Sequence, residues 1–280
     1  MSSPTAEPGP VFSPGHDLGV AIARIGWEVR SYVRQTSVMI FTFLFPIALL
    51  LLFSVAFSGM GEIGPPGSGL TMADLYLPGM LAAGVILSGV QNLAIDIATE
   101  KGEGGLRRLA ATPLRPWQYI VGKLGQALLT GTVQAALLIA VAALVLRIPL
   151  PEEPGRWLTA GWVYLLSLTV CALLGIAFAG VLKDGRVASA AVIPVLLGLQ
   201  FVSGIYLPGY LLPGWLSTAV GVLPFRWIGQ GFRAAFLPEG LGVMEPGGAF
   251  DLGTVALVLG IWAVLGAVLA RLTFRWIRRT

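Results

Sequence analysis

Long uncharged apolar stretches alternate along the chain with short segments that hold nearly all of its charge. The first stretch, Val38 to about Phe57, has about the twenty residues that a helix needs to cross a ~30 Å hydrocarbon layer. A Gly/Pro-rich connection, Ser58 to Tyr76, leads to a second predicted span from Leu77 to about Ala98, which turns polar at Gln91, Asn92 and Asp96. Tyr119 to Leu146 and Trp157 to Leu182 form the third and fourth, both long enough to cross with tilt. Only Lys183, Asp184, Gly185 and Arg186 precede the fifth, Val187 to Leu207. The sixth, Leu252 to Leu272, contains Gly253, Gly260 and Gly266, small residues that predict close helix contacts. An even number of spans puts both termini on one side.

Two further segments carry a different pattern. Between residues 17 and 35, Leu18, Ile22, Ile25, Val29 and Val33 recur at helical spacing, with Arg24, Glu28, Ser31 and Arg34 on the other side. This predicts an N-terminal amphipathic helix, capped by Asp17 and lying along the membrane interface; a soluble helix packed on a partner is the competing reading. In the region 208–238, Pro213 and Pro224 cut an apolar stretch into pieces too short to cross. A pair of helices that dips in and returns fits this pattern, as does a pair lying flat on the outer surface.

Composition agrees with a chain embedded in lipid. Charged residues make up 11% and hydrophobic residues 56%, with a mean hydropathy of +0.82. Soluble proteins carry roughly 25% charged residues, so this chain lacks the polar surface to be one. The fold class expected is therefore an all-α integral membrane protein of six transmembrane helices occupying 38–274. Its net charge of +4 bears on topology rather than on nucleic acid. With the N-terminus in the cytoplasm, Arg147, Arg156, Arg226 and Arg233 are the only Lys or Arg of 18 to fall outside. Both termini are thus expected to be cytoplasmic, in the cell (inner) membrane. Residues 1–16 are expected to be a disordered cytoplasmic tail without the features of a cleaved signal, and 275–280 a basic cytoplasmic tail.

The search for chemistry is mostly negative. Cys171 and His16 are the single cysteine and histidine, which excludes a His/Cys metal centre and predicts no bound metal. The motifs of intramembrane serine, zinc and aspartyl proteases do not occur, and Asp96 is the sole acid within a predicted span. No catalytic residue is assigned. A phosphate-cradling Gly-x-x-x-x-Gly-Lys-Ser/Thr loop is absent too, so ATP and its magnesium would have to be bound by another chain. Asp96 and Glu100 lie four residues apart on one helical face, a repulsive pair unless a cation sits between them, and Lys123 is the candidate.

The connection between spans two and three, residues 99–117, carries the most information. It reads Glu100-Lys-Gly-Glu-Gly104-Gly-Leu106-Arg107-Arg108-Leu109-Ala-Ala-Thr112-Pro113, with Gly122-Lys123 opening the next span. This resembles the signature of the type-two ATP-binding cassette exporter permeases, the multidrug and daunorubicin-resistance-like subunits. Gly102 stands where that family often has a charged residue, which predicts a more flexible loop. The later runs Gln200-Phe201-Val-Ser-Gly-Ile-Tyr-Leu-Pro and Leu-Pro-Phe-Arg-Trp resemble the family's fifth span and its outer re-entrant helices.

The resemblance implies a homodimer-forming permease that docks on two cytoplasmic ATPase subunits and exports drugs, lipids, polyketides or lipid-linked glycans. It assigns ATPase coupling to Glu100, Gly104, Leu106, Arg107, Arg108, Leu109, Thr112 and Pro113, with Leu106 and Leu109 as apolar knobs. Without it, positive-inside anchoring to membrane lipid would be the preferred reading of Arg107 and Arg108. Gln91, Asn92, Gln200 and Phe201 are the candidates for a substrate cavity lined by spans two and five, although polar residues in spans more commonly serve interhelical hydrogen bonds. An ion-coupled carrier would need ionisable groups at mid-membrane. A cavity with few fixed charges fits amphipathic small molecules.

Overall fold

The computed structural model describes residues 14–63, 69–207 and 213–274. The expectations for residues 1–13, for 275–280 and for 208–212 of the outer region lie outside them. Among the described residues every regular element is helical: α1 Pro14–Arg34, α2 Thr36–Ala56, α3 Met72–Ile86, α4 Leu93–Gly102, α5 Gly105–Ala110, α6 Pro116–Leu144, α7 Pro154–Val181, α8 Gly185–Val202, α9 Gly214–Val220, α10 Pro224–Phe236 and α11 Leu252–Thr273. Six helical stretches are long and apolar enough to cross a membrane; α3 and α4 form one of them, joined by a π-helical turn over Leu87–Asn92.

The second span, Met72–Gly102, is the axis of the bundle. Its apolar window is 83% buried, against 17% for the first and sixth spans, which leave large apolar faces outward. Packing against this axis is tight where glycines remove side chains. A Cβ on Gly175 of α7 would lie 2.5 Å from the Gly89 carbonyl oxygen, so α7 touches the backbone of the π-helical turn. The extra residue of that turn rotates Gln91 and Asn92 relative to a continuous α-helix, an irregularity often found at functional sites. Of the three glycines expected to bring the sixth span close, only Gly266 does so, against Leu173; a Cβ on Gly260 would meet nothing within 4 Å.

The span limits move outward at polar ends. The second begins at Met72, where the Asp74 carboxylate accepts from the Thr71 amide and hydroxyl, both at 2.7 Å, and closes the first turn. It also runs on to Gly102, so Glu100 lies within helix instead of opening a loop. Gly102 is not a loosened position: a Cβ there would sit 2.7 Å from that of Asp184, so glycine lets the turn before α8 pack closely. The fifth span ends at Val202, earlier than expected.

The first helix starts at Pro14, so Asp17 is not its cap; the Asp17 carboxylate instead pairs with Arg115 at 2.6 Å. Its apolar residues Leu18, Ile22 and Val33 face outward, while Arg24 and Glu28 are buried against α6. Glycines on α6 make the seat, since a Cβ on Gly122 would meet the Arg24 stem and one on Gly125 would meet Ile25. The polar face of α1 thus packs on the protein and its apolar face is left exposed.

At the opposite end of the bundle, the turn between α9 and α10 lies against the side of α11. The Trp262 indole donates to the Val222 carbonyl at 2.8 Å, and Trp262 is ten residues into α11, about 15 Å along an axis of about 33 Å. From that level α10 climbs back to Leu237, whose carbonyl accepts from Arg156 near the start of α7. The turn between α9 and α10 thus lies level with the middle of α11, and α10 runs from there to the end of the bundle where α7 begins. Arg233 on α10 is buried, with its guanidinium on Glu245 and on the Gly204 carbonyl, and Arg226 on the same helix donates to the Ser217 carbonyl.

Candidate functional site

The segment joining α4 to α6 is a short helix held in place by identifiable contacts. Gly104 adopts φ +75°, a left-handed conformation that favours glycine and lets the chain reverse between α4 and α5. Leu106 is 5% exposed, in a cluster with Ile97, Tyr119 and Ile176. It is therefore not a free apolar knob; it anchors α5 to the bundle. Leu109 is half-buried, whereas Arg107, Arg108, Thr112 and Pro113 are exposed. The Thr112 hydroxyl donates to the Leu109 carbonyl at 2.7 Å, and Arg108 to that of Glu103 at 3.1 Å, closing the turns around α5. Two residues before the turn into α5, Lys101 donates to the carbonyls of Ala179, Gly180 and Leu182. These are the free acceptors at the end of α7, so a cation sits where the helix dipole is negative.

Beneath this segment lies a buried ion cluster. The Lys123 ammonium is enclosed by carboxylates of Glu28 at 2.8 Å, Asp96 at 2.6 Å and Glu100 at 2.7 Å. Tyr119 donates to the second oxygen of Glu100 at 2.6 Å, and Arg24 pairs with Glu28 at 2.5 Å. The oxygens of Glu28, Asp96 and Glu100 lie within 4.8 Å of one another, close enough for a shared cation, and the lysine supplies that charge. Burial pushes the Glu28 carboxyl above the usual carboxylate range despite Lys123 beside it. Helices α1, α4 and α6 are thus tied together at one point. Glu100 acts there as a partner of Lys123 and Tyr119 and reaches the neighbouring cavity.

A cavity of about 800 Å³ opens beside the cluster, bounded by α1, α2, α4, α5 and α8. Gln91, Asn92, Asp96, Glu100, Arg108 and Leu109 all reach it, so the π-helical turn, the ion cluster and the short helix share one space. Asn92 also donates to the Thr42 hydroxyl at 2.9 Å, tying α2 to the second span. Gln200 and Phe201 are not brought here. Gln200 is buried farther along α8, where its amide donates back to the Leu196 carbonyl, and Phe201 is partly exposed against Tyr206. The fifth span contributes Ser189 and Ile193 to the cavity instead. Of the other polar residues in spans, Gln126 lines the cavity, whereas Gln134 accepts from Ser88 between spans two and three.

Sequence reasoning missed Glu28, Trp27 and Tyr32 as parts of this site. Periodicity places a charged residue of an amphipathic helix in water, and nothing local signals that Glu28 meets a lysine ninety-five positions later. A usable signal was Lys123 itself, a strongly hydrated charge near the start of an apolar span, which requires counter-charges wherever it is buried.

Comparison with known proteins identifies a family. Residues 23–237 match the ABC-2 type transporter family, a range that includes most of α1, the α5 segment, the cavity and α10. The probable multidrug ABC transporter permease YbhR of Escherichia coli K12 is 26% identical over 176 residues, covering 59% of this chain and 47% of YbhR. The same protein of Escherichia coli O157:H7 matches equally. The alignment thus spans about half the length of these relatives. With the family match extending over more than three quarters of its length and six helices suited to a bilayer, the chain belongs to the ABC-2 type transporter family and is a multi-pass membrane protein.

Proposed function

We propose that this chain is the permease subunit of an ATP-driven exporter, moving amphipathic or hydrophobic compounds out of the cytoplasm or the inner leaflet of the cell membrane. Two copies form the conduit, and each docks on a cytoplasmic ATPase subunit that binds ATP and magnesium. The observation that carries the reading is the placement of α5: Arg107 on it and Thr112 and Pro113 just beyond it are exposed, whereas its Gly105, Arg108 and Leu109 line the cavity. A push on α5 therefore reaches the cavity wall directly. It also reaches α4, because Leu106 packs on Ile97 and Lys101 holds the end of α7. The relative from Escherichia coli is named as a probable multidrug permease, which suits a cavity of this size.

The movement follows from the joints. Gln35 breaks the helix between α1 and α2, and Gly104 breaks it between α4 and α5, so α1 and α5 can shift while the spans stay intact. The Lys123 cluster makes α1, α4 and α6 move as one body at this end. Closure of the two ATPase subunits would drive that body inward in both copies and open the conduit at the α10 end.

The reading is tested by reconstitution. Membrane vesicles holding the chain with an ABC ATPase subunit should accumulate an amphipathic dye only with ATP, and the purified chain alone should neither bind nor hydrolyse ATP. Nucleotide binding by the isolated chain would overturn it. Its orientation has a separate check. Gly247 and Thr112 are exposed at opposite ends, and Cys171 is buried. In intact cells, an impermeant thiol reagent should label a Gly247→Cys variant and leave a Thr112→Cys variant unlabelled; the reverse pattern would invert the topology.

A further inference from the structure

The geometry points to a cargo that carries a positive charge: the cavity beside α5 is built for an amphipathic organic cation. This rests on the exporter reading and adds to it the charge class of the substrate. Three features of the cavity support it independently.

The first is how its charges are exposed. Asp96 and Glu100 present 26% and 20% of their side chains, whereas the Lys123 ammonium behind them presents 1%. A ligand entering the cavity therefore meets carboxylate oxygens and not the ammonium. Asp96 Oδ2 is on Lys123, and its Oδ1 makes no hydrogen bond among the described residues. The second feature is the charge balance. Three carboxylates converge on one lysine, and Arg24 answers Glu28, so the buried cluster keeps one negative charge uncompensated. Glu103 at the rim adds another carboxylate, balanced by Arg108, the one basic residue in the lining. Low-dielectric walls concentrate such a field, which draws cations in and repels anions of the same shape.

The third feature is aromatic. Trp27, Tyr32 and Phe41 also line the cavity, one face of the Trp27 ring being taken by the Arg24 guanidinium at 4.1 Å, and Ile95 and Ile193 complete an apolar wall. Ring faces accept organic cations while covering their hydrocarbon, a combination that neither acids nor alkyl groups supply alone. The amides of Gln91, Asn92 and Gln126 add neutral polar contacts without changing the sign.

The test uses two ions of one shape and opposite charge. The full chain in phosphatidylcholine nanodiscs is titrated with tetraphenylphosphonium and, separately, with tetraphenylborate, and uptake by protein-free discs is subtracted. Saturable phosphonium binding at least about tenfold tighter than borate binding is expected, the effect of one half-buried charge. Asp96→Asn should weaken phosphonium binding about tenfold and narrow the gap between the two ions. Because that change touches the ion cluster, Glu103→Gln, exposed at the rim and outside it, serves as the second variant and should weaken phosphonium binding by about threefold. Equal or tighter borate binding, or unchanged phosphonium affinity in both variants, would overturn the proposal. If phosphonium is not preferred while ATPase capture and ATP-driven dye uptake persist, the charge class alone falls. If phosphonium binds as expected while the ATPase is not captured, the exporter reading falls and the cation site stands.

Discussion

Replacement of Lys123 by methionine should be the most damaging single change in the chain, lowering stability by about 3–5 kcal/mol, the usual result of removing one partner from a buried ion group. Lys123 is fully buried, and its three carboxylate partners lie within 4.8 Å of one another. Without it, Glu28, Asp96 and Glu100 face each other with only Arg24 to offset them. Methionine fills the space of the lysine stem, so the loss measures charge and not a cavity. Helix α1 should come off its seat on α6, since its remaining polar ties there among the described residues are the pair of Asp17 with Arg115, the bond from Gln118 and the Arg24 guanidinium over the Tyr119 ring. Thermal unfolding in detergent and amide exchange along α1 read the two effects. A melting temperature within two degrees of the parent would show that the cluster is not holding these helices together.

The acid dependence of that variant has a definite sign. Burial already raises the Glu28 carboxyl above its usual range with Lys123 present, and removing the lysine raises it further. A carboxyl whose folded value exceeds its unfolded value favours the folded state below the unfolded value and loses that contribution as pH rises through the folded one. The deficit of Lys123→Met should therefore shrink as pH falls from 8 towards 5 and the Glu28 carboxyl protonates. Adding Asp96→Asn and Glu100→Gln should recover much of the loss at pH 8, because the repulsion disappears with the charges. A deficit independent of pH and of those changes would locate the damage in packing instead.

The same residues explain which features were legible in the sequence. The six spans were legible because lipid leaves no other solution for twenty apolar residues in a row. Their limits were not, because Glu100 and Lys101 look like loop residues until Lys123 and the end of α7 are seen to receive them. The pairing of Asp96, Glu100 and Lys123 followed from helical spacing and the scarcity of charge, both local facts. Glu28 did not, since its exposure depends on how α1 lies on α6, which Gly122 and Gly125 decide. The π-helical turn arises where Gly175 meets the Gly89 backbone, a contact between residues far apart in the chain that no pattern of hydrophobicity records. Gln200 was misplaced for a related reason. Its span does face the cavity, but through Ser189 and Ile193, and Gln200 lies about 10 Å beyond Ile193 along the helix.

The second large effect is expected at α5, where structure separates two roles that the sequence joins. Arg107 and Arg108 are exposed, so changing both to alanine should leave stability within about 0.5 kcal/mol of the parent, as surface substitutions usually do. Capture of the ATPase should nevertheless fall at least about tenfold, because each lost anchor at a docking surface costs about 1–2 kcal/mol. Dye uptake should fall with it. Leu106 behaves differently: it is buried among Ile97, Tyr119 and Ile176, so Leu106→Ser should cost about 2–5 kcal/mol and loosen α5 from the bundle. Its effect on capture is then indirect and should be accompanied by a lower melting temperature. Lipid anchoring by the arginines makes another forecast, in which the double alanine variant captures the ATPase normally and shows altered labelling at Gly247→Cys and Thr112→Cys. Pull-down with purified ATPase, melting temperature and labelling, measured together on the two variants, separate these cases. Normal capture and normal uptake by the arginine double variant would remove α5 as the site through which ATP hydrolysis moves the bundle.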